Sequence, residues 1–496
     1  MKINLPPSLK KLTNKLTGEQ WALLLTAVLL VLVNSIAITK ELPIIPLLTG
    51  GAVLVYLLIF HVDWVMYLMA FVTPFSIALE FKDYKLGLSF PSEIVMIAVT
   101  FLFLCRLIYD LSIDRKLLRH PISIAIFVYL AWMFMTCLTS EIPVVSIKFW
   151  LSKIWFTTAC YWMTIQLIKD DNRNLLRYFN CYAVALAIVV IITSVKHALS
   201  GFDSNYAHWV MSPFYNDHTA YGAVLAFFVP ITGCCFFLPK NNVFHKIFYT
   251  ILTVIMLTGL YLSYSRAAWI SFVVAIGVLV VLKLRIKLSW LVAAGLVFGT
   301  AFYFYADDIL YKMSRNSQDS SGNLTEQLQS ISNITTDASN VERLNRWDSA
   351  FGMIRERPVV GWGPGTYQFV YAPFQKSQFK TIITTDFGDG GNAHSEYIGP
   401  CAESGIIGML TVFALLFCSL YTGIRTYNHS HDPTRRLFCL MMTLALVTYF
   451  VHGTLNNFLD TDKLSLPFWG AFAVITVMSL KPDTEPDAGE PAPQTP

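Results

Sequence analysis

Apolar runs of about 18 or more residues recur along this chain, each long enough to cross a hydrocarbon layer of about 30 Å. A chain built this way must satisfy its backbone within each crossing segment, so helices that span a bilayer are the economical solution. The composition agrees: 55% of the 496 residues are hydrophobic and 14% are charged, against roughly a quarter charged in soluble domains. The hydropathy pattern predicts an all-α polytopic membrane protein of about 12–14 transmembrane helices. Fourteen spans are expected near 21–38, 42–60, 62–80, 90–108, 121–139, 151–168, 178–198, 217–238, 247–264, 267–282, 289–306, 406–424, 437–452 and 465–480. The start of the chain (Lys2, Lys10, Lys11 and Lys15) leads into an apolar run with no convincing cleavage site. A net charge of +4 gives no reason to expect a nucleic-acid partner.

The positions of the charges say more than their sum. With the start of the chain in the cytoplasm, the inner segments carry 20 Lys and Arg and the short outer loops carry 8. Positive residues in short loops orient polytopic proteins, so both termini are expected in the cytoplasm. The organisation is then transmembrane helices over 1–306, a large periplasmic loop over 307–405, further helices over 406–480, and a Pro-rich acidic tail over 481–496 that is expected to be disordered. No internal repeat is evident. The nine Cys lie almost all inside spans, with Cys401 alone near the loop, which argues for packing rather than disulfides. No CxxC or His/Cys cluster suggests a metal, and no cofactor is expected.

Within the loop, a polar stretch from Ser314 to Asn340 precedes Ser339-Asn-Val-Glu342, a capping-box spacing. The helix it opens ends before Pro358, and Gly361-Trp-Gly-Pro-Gly365 turns the chain. At about 100° per residue Leu344, Trp347, Phe351 and Ile354 share one stripe, which predicts an amphipathic helix against the membrane or the spans. Arg343 lies about 60° from the centre of that stripe and Arg346 about 120° away, so Arg343 is better placed to face a membrane-side pocket. Arg355 and Arg357 read as a solvated face. A second helix is expected from Asn392, bending at Pro400, which puts His394 in a first turn. There the positive helix end favours the neutral ring and a bound anion.

Arg266, in Tyr264-Ser-Arg-Ala-Ala-Trp269, sits between two apolar runs. It either snorkels to lipid headgroups or binds an anion at the membrane surface. Glu396 and Glu403 are acidic alternatives to His394 as base or orienting group. Asp386 and Asp389 stand in a Gly-rich run and read more readily as a turn than as a cation site. The Gly361-x-Gly-x-Gly run lacks the βαβ context of a nucleotide loop.

In order, these elements resemble the O-antigen ligase and O-antigen polymerase family. The resemblance is carried by Ser265-Arg266, Arg343-x-x-x-Trp347, Arg357-Pro-Val-Val-Gly361-Trp-Gly-Pro-Gly365, Asn392-Ala-His394-Ser-Glu-Tyr397 and Ala402-Glu-Ser-Gly-Ile-Ile-Gly408, over about 255–425. It implies a metal-independent, inverting membrane glycosyltransferase that takes a glycan from an undecaprenyl-diphosphate carrier at the periplasmic face of the inner membrane. It implies Arg266 and Arg343 as diphosphate binders and His394 as base; by the helix face Arg346 is the second choice, and Glu396 stays an acidic alternative to His394. The acceptor would be a sugar of the lipid A core. Polymerisation of repeat units and transfer to protein remain open alternatives. A transporter, the reading from another class, fits poorly with span interiors nearly free of charge.

Overall fold

The computed structural model describes residues 18–42, 44–81, 86–109, 113–203, 206–239, 241–287, 289–290, 292–293, 295–297, 299–300, 303–305, 338–376 and 391–482. Residues 291, 294, 298, 301, 302 and 306 of the expected span at 289–306, the stretch 314–337, Asp386, Asp389 and most of the tail lie outside the described residues. The chain divides into two compact units, Met1–Val65 and Met66–Pro496. The first holds two apolar helices, α1 (Gly18–Thr39) and α2 (Ile44–Phe60). Thr49 Oγ1 donates to Asn34 Oδ1 at 2.8 Å and ties them together.

The second unit carries the site. Nine of the described helices are long and apolar enough to cross a membrane. They are α4 (Ser92–Tyr109), α5 (Pro121–Leu138), α8 (Asn172–Leu199), α9 (His218–Cys235), α10 (Val243–Leu262), α11 (Arg266–Lys283), α13 (Ile398–His429), α14 (Pro433–His452) and α15 (Asp462–Leu480). The protein is an all-α multi-pass membrane protein. Between α5 and α8 the chain runs through α6 (Pro143–Thr157), a π turn at Thr158–Trp162 and α7 (Met163–Ile168). This run begins eight residues before the span expected at 151–168, because Pro143 suits the first turn of a helix.

One expected span is corrected. The third, at 62–80, is helical only through α3 (Val62–Val72) and the 3₁₀ turn after it. The chain then pairs β1 (Ile77–Phe81) with β2 (Leu86–Phe90), antiparallel, with Leu79 opposite Leu88. Alternating small and apolar residues in each segment suit a short hairpin better than a continued helix.

α15 is the innermost helix, enclosed along most of its length, and α9 and α14 are the next most buried. Small residues permit the close approaches that membrane helices use in place of hydrophobic driving force. A Cβ on Gly222 of α9 would stand 2.8 Å from Ser265 Cβ, and one on Gly423 of α13 would stand 2.3 Å from Thr443 Oγ1. Gly222 therefore lets the start of α11 lie directly on α9. All nine Cys are free, and five of them are buried.

Candidate functional site

The loop helix α12 (Ala338–Glu356) packs on α13. Its buried face comprises Glu342, Asn345, Arg346, Ser349, Ala350 and Met353. The expected apolar stripe is only partly covered: Ile354 packs against the buried cluster, Leu344 and Trp347 are half-buried, and Phe351, on the side opposite Glu342, is 46% exposed. The polar face is inward because its groups pair there. Arg346, 4% exposed, bonds Glu342 Oε1 through Nε at 2.6 Å and lies over the Tyr371 ring at 4.3 Å. Tyr367 donates its hydroxyl to the Arg346 carbonyl at 2.7 Å. Ser339 and Glu342 do not form a capping box. The helix has begun by Ala338, Ser339 Oγ accepts from Arg343 Nη1 at 2.8 Å, and Glu342 holds Arg346.

The turn after α12 is locked to a break in α13. Gly405 has φ +71° and interrupts the helix, so the bend lies there and not at Pro400. A break inside a membrane helix strands backbone groups that lipid cannot satisfy. Four of them find partners here. Trp362 N donates to Ala402 O at 3.1 Å, Gly363 N to Glu403 O at 2.7 Å, and Ile406 N to Pro358 O at 2.9 Å. The Trp132 indole donates to Ser404 O at 2.8 Å. The fit requires glycine: Gly361, Gly363 and Gly365 all have positive φ, and a Cβ on Gly361 would lie 2.4 Å from the Glu403 backbone. A Cβ on Gly405 would lie 1.9 Å from Val359 O. Gly405→Ala is thus expected to destabilise the protein by more than the about 1–2 kcal/mol of a left-handed non-glycine residue. Gly277→Ala, which meets nothing within 4 Å, should melt like the parent in a tryptophan-fluorescence thermal scan.

Three cavities bear on the site, one of them walled in part by Pro364, Gly365 and Glu403 of this plug. The first, about 240 Å³, is lined by Arg266, Arg343, His218, Tyr264, Ser265 and Leu455 among others. It brings together two arginines far apart in sequence. Arg266 opens α11, whose first amides and dipole favour an anion. Ser265 Oγ, at the same helix start, is buried with no hydrogen-bond partner among the described residues. Arg343 is held by Ser339 Oγ and by Leu455 O, the latter at 3.3 Å from its Nε. His218, in its wall, is in contact with His208, their Nδ1 atoms 3.0 Å apart.

His394 does not stand in a helix. The helix starts at Ile398, and His394 is in the preceding turn with φ +48°, its amide donating to Asn392 Oδ1 at 3.0 Å. The helix-end argument for a neutral ring therefore fails. Burial, followed by the charges of Arg343 and Arg346, lowers its pKa to about 3. The ring is neutral at ordinary pH and feels the charge of Arg343, but it is not part of the first cavity's lining.

The other two cavities flank Asn392. One, about 190 Å³, includes Lys153, Glu396, Glu403, Asn457 and Asp460; the other, about 320 Å³, includes Glu93, Asp217, Asn457, Asp460, Asp462 and Lys463. Glu396 is tied to the connection between α14 and α15. Its Oε1 accepts from the Phe458 and Leu459 amides at 2.9 and 3.0 Å and from the Tyr449 hydroxyl. Burial and the charge of Asp460 raise its pKa. Glu403 Oε1 accepts from the Tyr367 amide at 3.0 Å and braces the plug. Lys153, 3% exposed, pairs with Asp460 at 2.8 Å. Arg357 bonds Glu141 at 2.9 Å and stacks on Trp362, so it is not simply solvated; Arg355 is exposed.

A family model described as O-antigen ligase matches residues 251–413. This region belongs to the O-antigen ligase family. It contains Arg266, Arg343, His394, the glycine plug and the break in α13. An uncharacterized protein of Haemophilus influenzae is 22% identical over 246 residues, 46% of this chain and 56% of its own length. The chain thus spans about half the length of that curated relative. The O-antigen ligase region nevertheless supplies only part of what surrounds the cavities. Lys153, Asp217, His218, Asn457, Asp460 and Asp462 were not among the residues singled out from sequence. The polar run Asn456-Asn-Phe-Leu-Asp-Thr-Asp462 between two apolar segments was the readable signal for the last three.

Proposed function

We propose that the protein is an O-antigen-ligase-type glycosyltransferase that moves a glycan from undecaprenyl diphosphate to a hydroxyl of a sugar acceptor, such as the lipid A core. The observation that carries this reading is the convergence of Arg266 and Arg343, far apart in sequence, on one cavity. Two guanidinium forks and the start of α11 neutralise a diphosphate without demanding a metal. His394 takes the proton of the acceptor hydroxyl as its oxygen attacks the anomeric carbon from the face opposite the diphosphate. The carbon–oxygen bond to the diphosphate breaks, the electron pair leaves on phosphate oxygen, and the anomeric centre inverts.

The acceptor is assigned to the 320 Å³ cleft beside Asn392. Carboxylates and amides line it, which accept from sugar hydroxyls and repel a second phosphate. Asn457 Oδ1 and Asp462 Oδ1 are buried there without a hydrogen-bond partner among the described residues. Ligase, polymerase and protein glycosylation activities share the donor half and differ in this acceptor. Gel analysis of surface polysaccharide in a deletion strain separates them. Loss of all long chains on the lipid is the expected ligase result. Single repeats would make the protein a polymerase, and loss of protein glycosylation alone would make it a protein glycosyltransferase.

The reading places the protein in the inner membrane with both termini cytoplasmic and the loop exported. Reporter fusions after Asp308 and after Lys481 should then give opposite signals. A cytoplasmic signal at Asp308 would remove the donor site from the side where the carrier presents its glycan.

A further inference from the structure

A fourth cavity lies at the far ends of the helices that reach the site. α14 runs from Arg435 to His452, about 26 Å at about 1.5 Å per residue, close to the thickness of a hydrocarbon core. α13 and α15 likewise start beside the transfer site and end at this second cavity. It measures about 340 Å³ and is lined by His120, Tyr421, Arg425, His429, Arg435 and Ser479 among others, with no carboxylate in the lining.

Arg435 is anchored there by Nε to Met478 O at 2.5 Å and Nη2 to Ser479 O at 3.3 Å, two carbonyls at the end of α15. His120 contributes no charge at neutral pH, because burial lowers its pKa to about 4, and its ring is 2.9 Å from Ser479 Oγ. Arg425 is exposed and has no carboxylate partner among the described residues. The cavity is therefore a polar recess with two guanidiniums over it.

An apolar track leaves this recess. Leu410, Phe413, Phe417 and Tyr421, spaced three or four apart, lie on one face of α13 and are all exposed. Tyr421 lines the recess, and its ring stacks on Phe417 with centroids 5.8 Å apart. A cationic recess at one membrane surface, continuous with an aromatic stripe toward the bilayer centre, has the two chemistries of an amphiphile.

We propose that this cavity binds the phosphate of an acidic phospholipid in the leaflet opposite the transfer site, with an acyl chain along the Leu410–Tyr421 face. Guanidiniums bind phosphate oxygens in pairs, and basic recesses between membrane helices select anionic headgroups. The absence of a lining carboxylate disfavours a zwitterionic lipid, whose ammonium would face two arginines.

The test uses full-length protein stripped of lipid in detergent, titrated with phosphatidylglycerol, phosphatidylcholine or glycerol phosphate and read by native mass spectrometry. Phosphatidylglycerol is expected to bind at least about tenfold tighter than phosphatidylcholine. Arg425→Gln, a change at an exposed position that should not disturb folding, is expected to remove that preference, and Arg425→Lys to keep part of it. Binding of the lipid-linked diphosphate donor should be unchanged in Arg425→Gln, which separates this recess from the transfer site. Equal binding of the two lipids, or a preference undiminished in Arg425→Gln, would overturn the proposal. Glycerol phosphate binding as tightly as the lipid would also overturn it, by making the recess a site for soluble phosphate.

Discussion

Arg266→Ala and Arg343→Ala should each abolish glycan transfer and weaken donor binding while the protein still inserts and accumulates. Both side chains line the 240 Å³ cavity. Neither is a core packing residue, and each loses a charged hydrogen-bond donor where the diphosphate would sit. A bond to a charged partner is worth about 1.5–3 kcal/mol, and about 1.4 kcal/mol is a tenfold change. Losing one therefore predicts a ten- to hundredfold fall in donor affinity, with a larger loss in transfer as negative charge builds on the leaving group. Lysine at either position should rescue only in part, because a point charge lacks the planar fork. The measurement is donor binding and transfer assayed separately in nanodiscs; full transfer in either alanine variant would remove that arginine from the site.

Arg346→Ala is the instructive contrast. Its guanidinium is buried against Glu342 and Tyr371, and removing one partner of a buried pair costs about 3–5 kcal/mol. The expected defect is therefore in folding, visible as lost accumulation and a lower melting temperature. Glu342→Gln on top of Arg346→Ala should restore part of the loss. A fully stable Arg346→Ala that binds donor poorly would instead move Arg346 into the donor site alongside Arg343.

Hydropathy alone revealed the multi-pass helical class and most span positions, since long apolar runs permit few other outcomes in a bilayer. What it did not reveal depends on pairing between distant residues. Ile77–Glu80, most of the first strand of the hairpin, read as the end of a span because those residues are apolar enough for either state. The most buried face of α12 was missed because Leu344, Trp347, Phe351 and Ile354 are apolar and drew the reading to themselves. Its Glu342 and Arg346 are buried only because they meet each other and the tyrosines of the next segment. Arg266, Arg343 and His394 could be named from the motif order, but Lys153 and Asp460 could not. A lysine between apolar residues looks like a span end until its partner, about three hundred residues away, is known.

His394→Ala is expected to lose about 10²–10⁴-fold in transfer, the usual worth of positioned acid–base catalysis, with donor binding retained. The pH dependence follows from the sign of the shift. In the free protein the ring is neutral above about pH 3, so the acid limb of kcat/KM should not come from His394 at pH 5–7. A bound diphosphate brings negative charge toward Arg343 and the ring, which favours imidazolium. The acid limb of kcat, which reports the loaded protein, should therefore lie at higher pH than that of kcat/KM, and His394→Ala should erase this difference. Intact transfer in His394→Ala would shift the base role to Glu396 or Glu403. Lost donor binding alongside lost transfer would recast His394 as a phosphate ligand.

In the proposed reaction the two halves would draw on different stretches of chain. The arginine cavity takes its walls from the starts of α9, α11 and α12, whereas the 320 Å³ cleft takes one wall from the β-hairpin and the start of α4. The residues shared between the two acid- and amide-lined cavities are Asn392, Asn457 and Asp460. Such an arrangement is modular. A lineage that changes its surface sugar can redraw the hairpin wall at Gly87, Leu88 and Ser89 without touching the machinery that grips the carrier. Chimeras swapping residues 77–90 between relatives would then exchange what is glycosylated while leaving intact how the glycan is delivered.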